Sequence, residues 1–149
     1  MAAQDQDGLA AENLSLAGQA VSGIGGTVLV EPVRGSERYP LRIADDVIQV
    51  IDRVRLERGT QNLGFLCDLY HLAVNGDDLD RVVSQYGDRI AHVKIADAPG
   101  RPDPGTADLK LARRAQDHRT PGHSRWAGPT YRPQRPPPAP PPGRAAAPP

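Results

Sequence analysis

Six residues of this 149-residue sequence have side chains and neighbours suited to polar chemistry: Glu31, Asp68, His71, His92, Lys94 and Asp97. Glu31 closes one short apolar run, Asp68 closes a second, and His92, Lys94 and Asp97 lie on or end a third. If these runs are parallel strands, their carboxyl ends form the rim over which α/β folds place a ligand. Two carboxylates from neighbouring strand ends can hold a hard divalent ion such as Mg2+ or Mn2+ through oxygen. A metal held there polarises a carbonyl and stabilises an enediolate. His71 follows Asp68 by three residues, which on a first helical turn puts both side chains on one side. Each residue also has a purely structural role open to it. Glu31 can be a solvated strand end, Asp68 a helix N-cap, His71 a hydrogen-bonded polar residue, His92 a core residue and Asp97 a turn former.

The elements that must position these residues follow from periodicity. Leu9 to Val21 suits an amphipathic helix, with Leu9, Leu14, Leu16, Ala17, Ala20 and Val21 as its apolar positions, stopped by Gly23, Gly25 and Gly26. Thr27 to Val30 is a strand apolar on both faces, as in a covered parallel sheet. A polar loop from Arg34 to Pro40 leads into a helix over about Leu41 to Arg58, where Ile43, Val47, Val50, Ile51 and Val54 share a face. Gly59 supplies its stop. Leu63 to Cys67 is a second strand, and Asn75-Gly76-Asp77 is a turn whose Asp77 is placed to cap the next helix. Leu79, Val82, Val83 and Tyr86 give that helix its buried stripe, and Ile90 to Ala96 is a third strand. Alternating strands and helices imply right-handed crossovers and a parallel sheet. Beyond Asp97 the pattern deteriorates: Ala98 to Thr106 is a Gly/Pro-rich loop and Leu109 to Ala115 is weakly periodic. A last strand around Trp126 to Tyr131 can survive only as an edge, because Pro129 removes a ladder donor.

Composition narrows the function classes. Lysine plus arginine equals aspartate plus glutamate, 18 each, so no overall charge points to nucleic acid or an anionic membrane. Up to Asp97 there are 15 acidic and 9 basic residues, and from Ala98 onward 3 acidic and 9 basic. Nine of the 16 prolines fall in the last 18 residues, so the Pro/Ala/Arg-rich segment 132–149 is predicted to be a disordered tail on a domain spanning 1–131. The single cysteine, Cys67, excludes an internal disulfide framework and fits a reducing compartment. No apolar run reaches the roughly 18 residues of a membrane span, and the start lacks a secretory signal pattern. A cytoplasmic protein acting on a small molecule is expected, with no nucleic acid and no membrane partner.

Three strings are more specific than spacing. They are Gly26-Thr27-Val28-Leu29-Val30-Glu31-Pro32, then Asp68-Leu69-Tyr70-His71 followed by Asn75-Gly76-Asp77, then Ala91-His92-Val93-Lys94-Ile95-Ala96-Asp97-Ala98-Pro99-Gly100-Arg101. In this order they closely resemble the hydroxypyruvate isomerase family of xylose isomerase-like TIM barrels, from about Leu9 to Gly105 with a fainter trace through Gly122 to Pro133. The resemblance implies an α/β fold that is a partial (β/α)8 barrel, about its second half with parallel strands 5–8. It also implies an intramolecular aldose–ketose-type isomerase of carbohydrate and glyoxylate metabolism that interconverts hydroxypyruvate and 2-hydroxy-3-oxopropanoate. Two glutamates face each other across the substrate in such enzymes. By that similarity Glu31 is one of the pair and the catalytic carboxylate, Glu31 and Asp68 are oxygen ligands of a divalent metal (Mg2+ or Mn2+), and His71 and Arg101 contact substrate.

Two departures bear on activity. Where the family string reads His-Val-Gln-Ile-Ala-Asp, this chain has Lys94, an ammonium with no lone pair for a metal. A fixed cation there repels a divalent ion and partly replaces it. Where the family carries its second glutamate, Trp126-Ala127-Gly128-Pro129-Thr130-Tyr131 has Thr130. Losing positioned acid/base help typically costs about 10²–10⁴-fold, so a truncated, weakly active or inactive isomerase is expected. A half-barrel also leaves strand edges uncovered and is expected to self-associate. The competing readings are a non-catalytic fragment whose Pro136 to Pro142 segment binds an aromatic-lined groove, and a ketose 3-epimerase-like enzyme. DNA cleavage of the multi-metal type needs more histidines than His71, His92, His118 and His123 offer.

Overall fold

The computed structural model describes residues 3–35, 38–102, 127–130 and 132. Four strands form one parallel sheet in sequence order: β1 (Val28–Val30), β2 (Leu63–Asp68), β3 (Ile90–Ile95) and β4 (Ala127–Pro129). Helix α1 (Ala3–Ser22) precedes β1, α2 (Ala44–Arg58) connects β1 to β2, and α3 (Leu69–Val74) and α4 (Leu79–Tyr86) connect β2 to β3. A 3₁₀ turn, Gly87–Arg89, leads into β3. Half of a TIM barrel results, as the resemblance implies. Leu109 to Ala115, His118, His123, Trp126, Tyr131 and the tail beyond Arg132 lie outside the described residues.

Alternation along the strands separates two faces. Phe65, Leu63 and Cys67 of β2, with Val30, Ile90 and Val93, pack against Val47, Ile51 and Val54 of α2, Leu69 and Leu72 of α3, and Leu79 and Val82 of α4. The other face is the barrel interior and carries Leu29, Glu31, Leu66, Asp68, His92 and Lys94. Gly64 belongs to it: a Cβ there would lie 2.4 Å from the Ala91 Cβ and 3.1 Å from the Thr27 Cγ2, so only glycine lets the strands approach. β2 is buried along its whole length. β1 is not covered on both sides as expected. It is an edge strand of a half-closed barrel, and Leu29 is 39% exposed on the open interior face.

The helices show how local chemistry sets the ends. α2 begins at Ala44, later than the apolar pattern suggested, because the Asp46 carboxylate accepts from the Arg42 and Ile43 N–H groups ahead of the first turn. Gly59 ends it in the left-handed region, φ 70°, where its N–H donates to the Arg55 carbonyl. The Asp77 expectation needs correction. Asp78 caps α4, accepting from the Asp80 and Arg81 N–H groups, whereas Asp77 accepts from the Ala44 N–H of α2 and pairs with Arg81 at 2.9 Å. Arg81 also reaches Asp45 at 2.9 Å, tying α4 to α2. Only part of the apolar face expected of α1 packs: Leu14 lies against the core and Ala17 and Val21 are half-buried. Ala11, Ser15 and Gly18 are buried, while Leu9 and Leu16 stay exposed. Small residues let the helix sit close: a Cβ at Gly18 would meet the Thr60 Cγ2 at 2.6 Å, Thr60 donates to Ser15 at 2.9 Å, and Asn62 donates to the Gly18 and Gly26 carbonyls.

Two predictions follow from this packing. Burial pushes the Cys67 thiol up to about 12, with the Asp68 and Asp77 charges adding to the effect, so few thiolates form at neutral pH. A thiol reagent is expected to leave Cys67 unmodified in the native chain and to modify it fully in denaturant; rapid native reaction would contradict the packing of β2. Asp77→Ala removes a cap of α2 and an ion pair together and is expected to cost about 2 kcal/mol in urea unfolding, against about 1 kcal/mol for Asp78→Ala. Equal losses would mean that Asp77 does not bridge the two helices.

Candidate active site

The strand ends carry the chemistry. Val30 is the last residue of β1, so Glu31 stands at its carboxyl end on the interior face, with the buried Pro32 closing the strand. β2 passes into α3 with no intervening loop, and Asp68 is both the last strand residue and the helix N-cap. Its Oδ1 accepts from the Tyr70 and His71 N–H groups at 3.0 and 3.2 Å. The N-cap role considered for Asp68 is the one its Oδ1 fills, and Oδ2 is left turned to His71 Nε2 at 3.9 Å. A register shift between Phe65 and Leu66 decides what stands beside this carboxylate. Phe65 pairs with Ile90, but Leu66 pairs with His92, so Asp68 lies opposite Lys94 rather than Val93.

Glu31, Asp68 and His71 each offer a ligand atom, and these atoms lie within 4.8 Å of one another. Such a group is of the kind that holds a metal, yet two of its three members already face cations. The Lys94 ammonium lies 3.0 and 3.2 Å from the two Glu31 oxygens, and an Arg101 guanidinium nitrogen lies 2.6 Å from His71 Nε2. One Asp68 oxygen serves α3. This donor set does not fit a divalent ion, because a bound ion would share its ligands with two fixed positive charges.

His71 has an unresolved competition that points to an acceptor ligand. Its Nδ1 accepts from the Arg34 backbone N–H at 2.9 Å while its Nε2 faces Arg101. A neutral imidazole has one lone pair to give, so two donors compete for it. Burial pushes the ring below its ordinary 6.5; the Asp68 charge opposes this, Arg101 adds to it, Glu31 opposes it and Lys94 adds to it. An oxygen anion placed beside this pair, accepting from both, would satisfy the excess donors. Arg101 is held for that contact: its guanidinium stacks 4.6 Å from the centre of the Tyr70 ring and donates to the Thr130 carbonyl at 3.3 Å. Its backbone adopts φ 61°, a left-handed conformation that costs a non-glycine residue about 1–2 kcal/mol. The Arg132 N–H donates to the Arg101 carbonyl at 2.8 Å, which fastens this turn to the far side of the half-barrel.

The other candidates separate. His92 lies on the interior face lower in β3, where its Nε2 would be 3.2 Å from a Cβ at Gly128. Asp97 is fully buried and accepts from the Ala98 N–H at 2.9 Å, as a turn former does. β4 exists as the edge strand that Pro129 allows, pairing Lys94 with Gly128 and Ile95 with Pro129. The buried Thr130 Oγ1 has no hydrogen-bond partner among the described residues. Residue types alone did not single out Arg34, Tyr39 or Tyr70. Arg34 donates to the Tyr70 hydroxyl at 2.9 Å, and Tyr39 donates to the Glu31 carbonyl at 3.4 Å. The available signal was position, since Arg34 and Tyr39 belong to the polar loop after a strand end and Tyr70 lies between Asp68 and His71.

Comparison with known proteins agrees with this geometry. Residues 2–128 match the family model of the xylose isomerase-like TIM barrel. A Streptomyces coelicolor protein named "Putative hydroxypyruvate isomerase" is 45% identical over 131 residues, which are 87% of this chain and 47% of that protein. The Escherichia coli hydroxypyruvate isomerase is 28% identical over 72% of this chain and 41% of its own length, and the 2-oxo-tetronate isomerase of Cupriavidus necator is 31% identical over 83% and 46%. Among solved structures, an AP endonuclease of family 2 from Brucella melitensis superposes with TM-score 0.72 at 27% identity, covering 84% of this chain and 48% of that one. The chain spans about half the length of the curated relatives it matches. The parallel half-barrel and the family match over most of its length together place this chain in the xylose isomerase-like TIM barrel family.

Proposed function

We propose that this half-barrel carries the site of an intramolecular isomerase of the hydroxypyruvate isomerase type, moving a proton between adjacent carbons of a small hydroxy 2-oxo acid. The observation that carries this reading is the convergence of Glu31, Asp68 and His71 within 4.8 Å at the carboxyl edge of the sheet, beside Arg101. The names of the relatives from Escherichia coli and Cupriavidus necator, both isomerases of short 2-oxo acids, support the substrate class.

In this reading the substrate carboxylate lies beside the Arg101–His71 pair and accepts charge-assisted hydrogen bonds from both. Glu31 then takes the C3 proton of hydroxypyruvate and returns it to C2 of the enediolate, while a proton passes from the C3 hydroxyl to the C2 oxygen. One carboxylate performs both transfers, because the Thr130 hydroxyl cannot exchange a proton near neutral pH as a carboxylate does. Turnover is correspondingly slow. Tyr39 and Arg34, from the loop after β1, flank the rim.

Incubating the purified chain with hydroxypyruvate in D2O and following the C3 protons by NMR tests this reading. Slow deuterium incorporation and isomerisation are expected, reduced about 10²–10⁴-fold by Glu31→Gln and raised by Thr130→Glu. Arg101→Ala is expected to raise KM by about 10–100-fold, as loss of a hydrogen bond to a charged group does. No exchange above buffer, or exchange unaffected by Glu31→Gln, would remove the proposal. The His71 ring supplies a second test. Its folded pKa lies below the unfolded 6.5, so the stability it contributes is complete above pH 6.5 and is lost as pH falls through the folded value. The ring signals of His71 are expected to titrate below 6.5, and His71→Asn is expected to flatten the decline in Tm on acidification. A titration midpoint above 6.5 would contradict the buried, cation-flanked ring.

A further inference from the structure

We propose that Lys94 supplies from within the chain the positive charge that a divalent ion would supply at this rim, so that the site excludes Mg2+ and Mn2+ and relies on the ammonium in their place. The inference rests on the isomerase reading for its chemistry, but its exclusion of metal stands on geometry alone. The Lys94 ammonium bridges both oxygens of Glu31 at 3.0 and 3.2 Å, and the register shift between β2 and β3 sets it directly opposite Asp68. Both partners are well covered, with the Lys94 side chain 31% and the Glu31 side chain 22% exposed, so water screens the pair only in part.

An ion with oxygen ligands at about 2.0–2.6 Å would share the Glu31 oxygens with the ammonium and sit within contact distance of its charge. It would also need His71 Nε2, which Arg101 occupies. Two of the three candidate ligands thus already face a permanent cation, and a protonated lysine has no lone pair with which to become a ligand itself. The ammonium has three N–H donors, two of which the Glu31 oxygens can absorb. The third can meet the C2 oxygen of a bound 2-oxo acid. When the C3–H bond breaks and its proton passes to Glu31, the C–H electron pair forms the C2–C3 double bond. The carbonyl π pair moves to the C2 oxygen, where the Lys94 charge stabilises it.

The purified chain and its Lys94→Gln and Lys94→Met variants, each shown to be folded by circular dichroism, are titrated with Mn2+ and read by electron spin resonance of the free ion. The wild-type chain is expected to leave Mn2+ free up to about 1 mM, and Lys94→Gln, which restores a neutral oxygen donor, to bind it at least tenfold more tightly. Lys94→Met, which removes the charge without a donor, is expected to fall between them. Wild-type binding as tight as that of Lys94→Gln, abolished by Glu31→Gln, would overturn the proposal. Should the Lys94 variants fail to fold, selective broadening of His71 ring resonances of the wild-type chain by Mn2+ below 1 mM overturns it, and unbroadened resonances uphold it. Activity separates the two readings. Isomerisation unchanged by a chelator in the wild type, and dependent on Mn2+ in Lys94→Gln, is expected. No isomerisation in any variant would count against the function while leaving the Mn2+ titrations to decide the role of Lys94.

Discussion

The direct passage from β2 into α3 at Asp68 is the constraint on which the site depends. With no loop between strand and helix, one carboxylate must end the ladder, start the helix and face the interior. It does so because its two oxygens divide the work: Oδ1 satisfies the first free N–H groups of α3 and Oδ2 is left toward His71. That cap sets the direction of the first helical turn, and with it the ring of His71 and the aromatic face of Tyr70. Arg101 stacks on Tyr70 and reaches His71, so its position too descends from the same junction. β2 is rigid enough to serve as the reference because every one of its residues is buried.

Charge at the rim is balanced rather than accumulated. Lys94 bridges Glu31 and Arg101 faces His71, with Arg34 adjacent, so two members of the group that resembles a metal triad are met by nitrogen cations. In the proposed reading, charge that a metal site draws from an exchangeable ion is distributed over side chains whose placement is set by strand register. In that same reading a substrate carboxylate meets donors in excess at His71 and Arg101. The helices behind the sheet use the same economy: Asp77 closes the start of α2 while anchoring Arg81 of α4, so one side chain locks two elements that support neighbouring strands.

Much of the frame was legible from residue order alone. The apolar runs ending in Glu31, Asp68 and Asp97, the α2 pattern with Gly59 after it, and the edge character imposed by Pro129 each rest on local rules, namely periodicity, the left-handed freedom of glycine and the missing donor of proline. Features that failed to read from the sequence are those in which distant residues compete. α1 packs most closely through Ala11, Ser15 and Gly18, with Leu9 and Leu16 exposed, because Thr60 and Asn62 offer hydrogen bonds only at close approach. Asp77 leaves its own helix for α2 because Asp78 is already placed to cap α4.

By itself the sequence determined the parallel α/β frame, the acids at the strand ends and the substitutions of lysine and threonine that set this chain apart from the family it resembles. Spacing of 3.6 and 2 and the identity of a side chain are properties of a short stretch of chain, so they need no partner to be read. Tertiary structure alone decided that Lys94 would bridge Glu31 and stand opposite Asp68, that Arg34 and Arg101 would compete for one lone pair of His71, and that Leu29 would face an open interior. A one-residue shift in register between β2 and β3 exchanges Val93 for Lys94 beside the carboxylate, and register is set by how two strands pack together, which neither strand encodes separately.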